Sequence, residues 1–133
     1  MSEGKMNFIV IDDSKLDCFI AEKIILNSGK CESVKVFQQA VQALEYIQAA
    51  ATSQSTTVVF VDIQMPVMNG FEFVENFEKL SDELKKNYHI YMLSSSINEN
   101  DIARVKGYPS VKHFLNKPLT NNTIQSVLEE YNP

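Results

Sequence analysis

The sequence predicts an α/β fold: a five-stranded parallel sheet with helices on both faces. Three observations carry this. Apolar runs over 8–11, 58–61 and 90–93 are too short for a helix and apolar at every position, as in strands buried on both faces. Two less continuous runs, marked by Val34, Val36, Phe37 and by Val111, Phe114, Leu115, complete a set of five. Segments with apolar residues at helical spacing follow each run, and such alternation favours parallel strands joined by right-handed crossovers.

The chain justifies each element in turn. Residues 1–6 are polar and expected to fray. The first strand ends in Asp12-Asp13-Ser14, where Asp13 or Ser14 caps the next helix. Leu16, Phe19, Ile20 and Ile24 give that helix its apolar stripe, and Asn27-Ser28-Gly29 stops it. The interrupted second run suits a strand nearer the sheet edge. Ala40, Leu44 and Ile47 mark the second helix, and residues 49–57 form a small, polar connection. After the 58–61 strand, Met68-Asn69-Gly70 turns into a third helix with Phe73, Val74, Phe77 and Leu80 on one face. Its continuation over 78–86 mixes charges of both signs and reads as a solvated helix face. The fourth strand ends in Ser94-Ser95-Ser96. A short helix over 98–106 is closed by Gly107 and Pro109. The fifth strand ends in Asn116-Lys117-Pro118. Residues 120–122 offer caps for a last helix with Ile124, Val127, Leu128 and Tyr131 as its stripe.

Composition excludes several classes. The 133 residues suit one domain, 1–133, large enough to need no disulfide or structural metal. A net charge of -5 argues against nonspecific nucleic-acid binding and gives no reason to expect a membrane surface. No apolar stretch is long enough to span a bilayer, and the N-terminus lacks the apolar core of a secretory signal. Cys18 and Cys31 form no Cys-x-x-Cys pair and read as reduced thiols of a cytoplasmic protein. His89 and His113 are isolated and read as residues that flank or line strands.

Polar residues at the strand ends carry the chemistry. Asp62 ends the 58–61 run, at the edge where ligands bind in open α/β sheets. Asp12, Asp13, Ser94 and Lys117 should arrive at the same edge. Three clustered carboxylates repel one another, and a hard divalent cation with oxygen ligands offsets that; Mg²⁺ suits a site that retains waters. A cation, a lysine and a hydroxyl around one carboxylate can hold a tetrahedral anion in transfer. The residue types therefore suggest phosphoryl transfer to Asp62 as nucleophile.

These residues resemble the receiver domain of bacterial two-component response regulators. The matching pieces are Ile11-Asp12-Asp13-Ser14, Val61-Asp62-Ile63-Gln64-Met65-Pro66 with Asn69-Gly70, Leu93-Ser94-Ser95, and Phe114-Leu115-Asn116-Lys117-Pro118. They occur in the family's order and spacing and cover roughly residues 7–131. The resemblance implies the flavodoxin-like strand order 2-1-3-4-5. It implies Asp62 as phosphoacceptor, and Asp13, Asp62 and the Gln64 backbone carbonyl as Mg²⁺ ligands, with Asp12 holding the metal through water. Ser94 resembles the switch hydroxyl, Lys117 the lysine that pairs with phosphoryl oxygens, and Phe114 the aromatic that changes rotamer. The Lys117-Pro118 bond is expected cis. The implied donor is a sensor histidine kinase or a histidine phosphotransfer protein. The implied output is a change at the surface made by the 98–106 helix, the fifth strand and the last helix, read by an unspecified downstream protein.

The family's pattern is departed from at Gly107-Tyr108-Pro109-Ser110, which replaces the usual Gly-Ala-containing ending. Phe114 carries no hydroxyl, so a switch there works by packing. No DNA-reading segment or other output domain is expected. A phosphatase of the haloacid-dehalogenase type also uses a strand-end aspartate, but wants a second acid where Gln64 stands. A receiver-like interaction module that takes no phosphate would not need the acids, hydroxyl and lysine present here.

Overall fold

In the computed structural model, residues 5–50, 55–96 and 98–130 are described. Expectations for 1–4, for 51–54 of the polar connection, and for Ile97 and Tyr131 lie outside these residues. The five apolar runs become β1 (Met6–Ile11), β2 (Cys31–Phe37), β3 (Thr57–Asp62), β4 (Tyr88–Ser94) and β5 (Val111–Asn116). They form one sheet in the order β2-β1-β3-β4-β5, parallel at every pairing. The interrupted β2 and β5 are its edges, which need burial on fewer sides. Met6 was expected to fray but opens β1 and is buried.

Continuous apolarity in the central strands has a direct cause. Side chains alternate between faces, and both faces are covered. Ile9, Ile11, Val59, Val61, Ile90 and Met92 pack on one side, with α2 (Ala40–Ala49), α3 (Gly70–Glu78) and α5 (Glu99–Val105). Phe8, Val10, Val58, Phe60, Tyr91 and Leu93 pack on the other, with α1 (Lys15–Asn27) and α6 (Asn121–Glu129). On that second side Phe8 stacks on Phe60 at 6.3 Å, and Phe60 meets Tyr91 at 5.8 Å.

This aromatic row sets the phase of α1 and corrects half of its expected stripe: Ile20 and Ile24 are half-buried, Ile24 against the core, but Leu16 and Phe19 are not. Cys18, Ala21 and Ile25 face the sheet, whereas Leu16 and Phe19 are 65% and 60% exposed. Small residues face the rings because the sheet side already holds the bulk. Ser14, not Asp13, is the cap: its Oγ accepts the Asp17 N–H at 3.2 Å.

A second correction concerns 78–86. The third helix does not run on; α3 ends at Glu78, and Ser81 caps a separate turn, α4 (Asp82–Lys85). Leu80 and Leu84 pack against the core across that break. Glu78 is not merely solvated: one carboxylate oxygen accepts the Ser110 N–H at 3.0 Å and its hydroxyl at 2.6 Å. Six helices thus appear among the described residues, against five expected. The final stripe holds at Ile124, Val127 and Leu128, all buried.

Both cysteines are free. His113 stacks on Tyr91 and lies 3.0 Å from a Glu130 carboxylate oxygen, so it lines β5 as expected.

Candidate functional site at the carboxyl edge of the sheet

Strand register assembles the site. Ile11 pairs with Val61, so the next residue on each strand, Asp12 and Asp62, emerges at one edge. Asp62 pairs with Leu93 and Ser94 with Asn116, which brings Ser94 and Lys117 to the same edge. Asp12, Asp62 and Ser94 are buried, while Asp13 is exposed.

Three carboxylates converge here. Oxygens of Asp12, Asp13 and Asp62 all lie within 4.8 Å of one another. Among the described residues one cation faces them: Lys117 Nζ lies 2.8 Å from Asp12 Oδ2 and 3.5 Å from Asp62 Oδ2. Burial, and then the Asp12 charge, push the Asp62 carboxyl up to about 6, and Lys117 only partly opposes this. Burial pulls the Lys117 ammonium down, but hydrogen bonds to Asp12 and Asp17 outweigh it and hold the group well above its usual range. One lysine against three clustered acids leaves negative charge uncompensated. All-oxygen donors with one acid open to water fit a hard divalent cation that keeps part of its hydration.

Neighbouring elements fix the acids. Asp12 Oδ1 accepts the Ser14 N–H at 3.0 Å. Asp62 Oδ1 accepts the Gln64 N–H at 3.3 Å. The Cys18 thiol donates to the Asp12 carbonyl at 3.2 Å, and burial followed by the Asp12 charge pushes that thiol up to about 11, so it is an inert packing group. The Ser94 hydroxyl is engaged locally: it donates to the Ser96 carbonyl at 3.1 Å and accepts the Ser96 N–H at 3.0 Å. The Lys117-Pro118 bond is cis, as expected.

Phe114 pairs with Met92, two residues before Ser94, and is half-buried against the α2/α3/α5 side of the core. A cleft of about 290 Å³ between α5 and β5 borders it, lined among others by Ile102, Val105, Tyr108 and Val111. Gly107-Tyr108-Pro109-Ser110 has its own role. Tyr108 and Arg104 both bond the Glu75 carboxylate on α3, and Arg104 lies over the Phe71 ring at 4.2 Å.

Two residues escaped the sequence reading. Gly70 was taken as part of a turn, yet a Cβ there would lie 2.6 Å from the Asp62 carbonyl and 2.9 Å from Ile63 Cα. Its N–H donates to the Ile63 carbonyl at 2.9 Å, so α3 docks on the strand end through bare backbone. Asp17, in the first turn of α1, bonds Lys117 Nζ at 2.8 Å. An acid one helical turn after Asp13 was the available signal.

A family model described as the response regulator receiver domain matches residues 8–129. A response regulator receiver protein from Dyadobacter fermentans DSM 18053 superposes with a TM-score of 0.87 at 33% identity, over 96% of this chain and 98% of that one. Two-component response regulator 24 of Arabidopsis thaliana is 23% identical over 132 residues, 99% of this chain and 88% of that protein. Protein-glutamate methylesterase/protein-glutamine glutaminase 2 of Vibrio vulnificus (strain YJ016) is 32% identical over 80 residues, 60% of this chain; the chain spans 22% of that protein's length.

Proposed function

This chain belongs to the response regulator receiver domain family, a signalling family, and from that premise we propose that Asp62 is its phosphoacceptor and that Mg²⁺ is bound beside it. The observation that carries the reading is the convergence of Asp12, Asp13 and Asp62 around the carboxyl end of β3, with Lys117 among them. The donor is a phosphohistidine on a sensor histidine kinase or a histidine phosphotransfer protein. The domain takes part in its own phosphoryl transfer and hydrolysis and is not otherwise an enzyme.

The residues divide the work. Ionised Asp62 attacks the phosphorus in line; an O–P bond forms, the P–N bond of the donor breaks, and the imidazole leaves with that electron pair and takes a proton. Burial and the Asp12 charge hold the Asp62 carboxyl up in the metal-free site, and a bound cation would favour the ionised form that attacks. Asp12, Asp13, Asp62 and the Gln64 carbonyl are assigned to the metal, which supplies charge neutralisation to the transferring group. Lys117 offers its ammonium to a phosphoryl oxygen. Ser94 must break its bonds to Ser96 to donate to another. That movement frees space beside Phe114, whose inward turn alters the α5, β5 and α6 face read by a downstream protein. Gln64 and Ser96 are both exposed; Gln64 can hydrogen-bond a water near the phosphoryl group, and Ser96 is too small to close that water's path. The acyl phosphate is therefore expected to last on the order of minutes, not hours. No helix among the described residues is long and apolar enough to cross a membrane, which suits a cytoplasmic signalling role.

Acetyl phosphate with and without Mg²⁺, followed by intact-mass measurement, tests this. One phosphoryl group should be added only with the metal, and none in Asp62→Asn. A modification that persists undiminished in that variant assigns the chemistry elsewhere.

A further inference from the structure

We propose that Asp17 is a positioning residue that holds Lys117 away from the phosphoacceptor and so opposes occupancy of the site by a phosphoryl group. The inference rests on Asp62 being the phosphoacceptor. Lys117 Nζ lies 2.8 Å from Asp17 Oδ2 and 2.8 Å from Asp12 Oδ2, but 3.5 Å from Asp62 Oδ2. A charge-assisted N–H to carboxylate bond spans roughly 2.7–2.9 Å, so the ammonium bonds fully to the first two acids and not to the third.

The two acids that hold it are not equivalent. Asp12 is buried, bonded to the Ser14 N–H, and belongs to the carboxylate trio able to share a cation. Asp17 stands outside that trio, on α1, 100 residues from Lys117 in sequence and 36% exposed at its side chain. Its charge is spent on the lysine.

A phosphoryl group on Asp62 would present three anionic oxygens to an ammonium with three N–H donors. Lys117 can keep Asp12, which flanks Asp62, while it turns to such an oxygen. Its third N–H is free for such an oxygen, but closing the 3.5 Å gap toward Asp62 carries the ammonium away from Asp17, whose bond holds it toward the helix surface. Asp17 thus subtracts from what the lysine contributes to phosphoryl binding and keeps the unphosphorylated arrangement favoured.

Binding of beryllofluoride with Mg²⁺ tests this without turnover. Asp17→Asn removes the charge but keeps the size and the backbone N–H that Ser14 caps; it should bind about 3- to 10-fold tighter than the parent. Asp17→Glu, which restores the charge, should return to within about 2-fold of the parent. On a Lys117→Ala background the gain from Asp17→Asn should vanish, because the proposed effect passes through the lysine. If Asp17→Asn does not fold, Asp17→Ser takes its place with the same expectation. Unchanged or weaker binding in the parent background overturns the proposal. So does an equal gain on the Lys117→Ala background, which would assign the effect to bulk charge. A parent protein that fails to bind beryllofluoride at all would instead overturn the phosphoacceptor reading, and this inference with it.

Discussion

The edge around Asp62 and the flank made by α5 and β5 are held by different forces. Every residue of β3 is buried, and the backbone of Gly70 is pressed against the strand end that carries Asp62. In α5 only Val105 is buried, and β5 has no fully buried residue. That flank packs on the core only in part and is tied to α3 by polar bonds as well: Glu75 to Arg104 and Tyr108, and Glu78 to Ser110. Close packing resists displacement, because every neighbour must move with the displaced group. Exposed ion pairs and hydrogen bonds can be exchanged for water at small cost. The difference separates two tasks: the packed edge holds a nucleophile among charges, and the polar-tied flank is free to change.

The contrast breaks first at Gly70. Gly70→Ala forces a methyl group into the Asp62 carbonyl and Ile63, which are backbone atoms with little room to yield. We expect a loss of about 3 kcal/mol in chemical denaturation, together with loss of phosphorylation. A variant of parental stability would mean that the edge is not rigidly packed.

Asp62 itself comes next. Its carboxyl ionises near 3.8 in the unfolded chain and about 6 in the folded one. Below about pH 4 it is protonated in both states and costs nothing. As pH rises toward 6 the folded state retains a proton that the unfolded state has lost, so stability falls; above that the full cost remains. Without divalent cation, Asp62→Asn should therefore stabilise the protein by about 3 kcal/mol near neutral pH, with the gain fading toward about pH 4. Denaturation curves across that range measure it. A stability gain that grows on acidification would contradict the assigned burial.

On the flank the effects shrink. Glu78→Ala removes two hydrogen bonds to Ser110 and should cost about 1 kcal/mol, leaving Asp62 phosphorylation intact. Glu75→Gln loosens the tie to Arg104 and Tyr108; the carboxylate is exposed, so stability should barely move while amide signals of α5 shift. Phosphorylation lost in either variant would deny the separation of the two regions.

How much of this was legible follows the same division. Where both faces of a strand are buried, as in 58–61, apolarity alone located the strand and its terminal Asp62. Strand register then brought Asp12, Ser94 and Lys117 in without further information, because Asp12 and Ser94 immediately follow an apolar run and Lys117 follows one after Asn116. Helix phase was less legible. Leu16 and Phe19 had the periodicity of a buried face, but the ring row of Phe8, Phe60 and Tyr91 selects small Cys18 and Ala21 to face it. Contacts between distant segments were faint in the sequence. Asn69-Gly70 and the acid one helical turn after Asp13 marked two positions, but that Gly70 meets Asp62, Asp17 meets Lys117 and Glu78 meets Ser110 depends on how the elements come together.

Amide chemical shifts with Mg²⁺ and beryllofluoride test most directly whether the packed edge acts on the polar-tied flank. In the parent protein, signals beside Asp62 and those of 98–116, Phe114 included, should shift together. In Ser94→Ala the shifts beside Asp62 should persist while those at Phe114 diminish, because the hydroxyl is the proposed link between the regions. A parent protein whose signals change beside Asp62 but not at Phe114 would contradict the account.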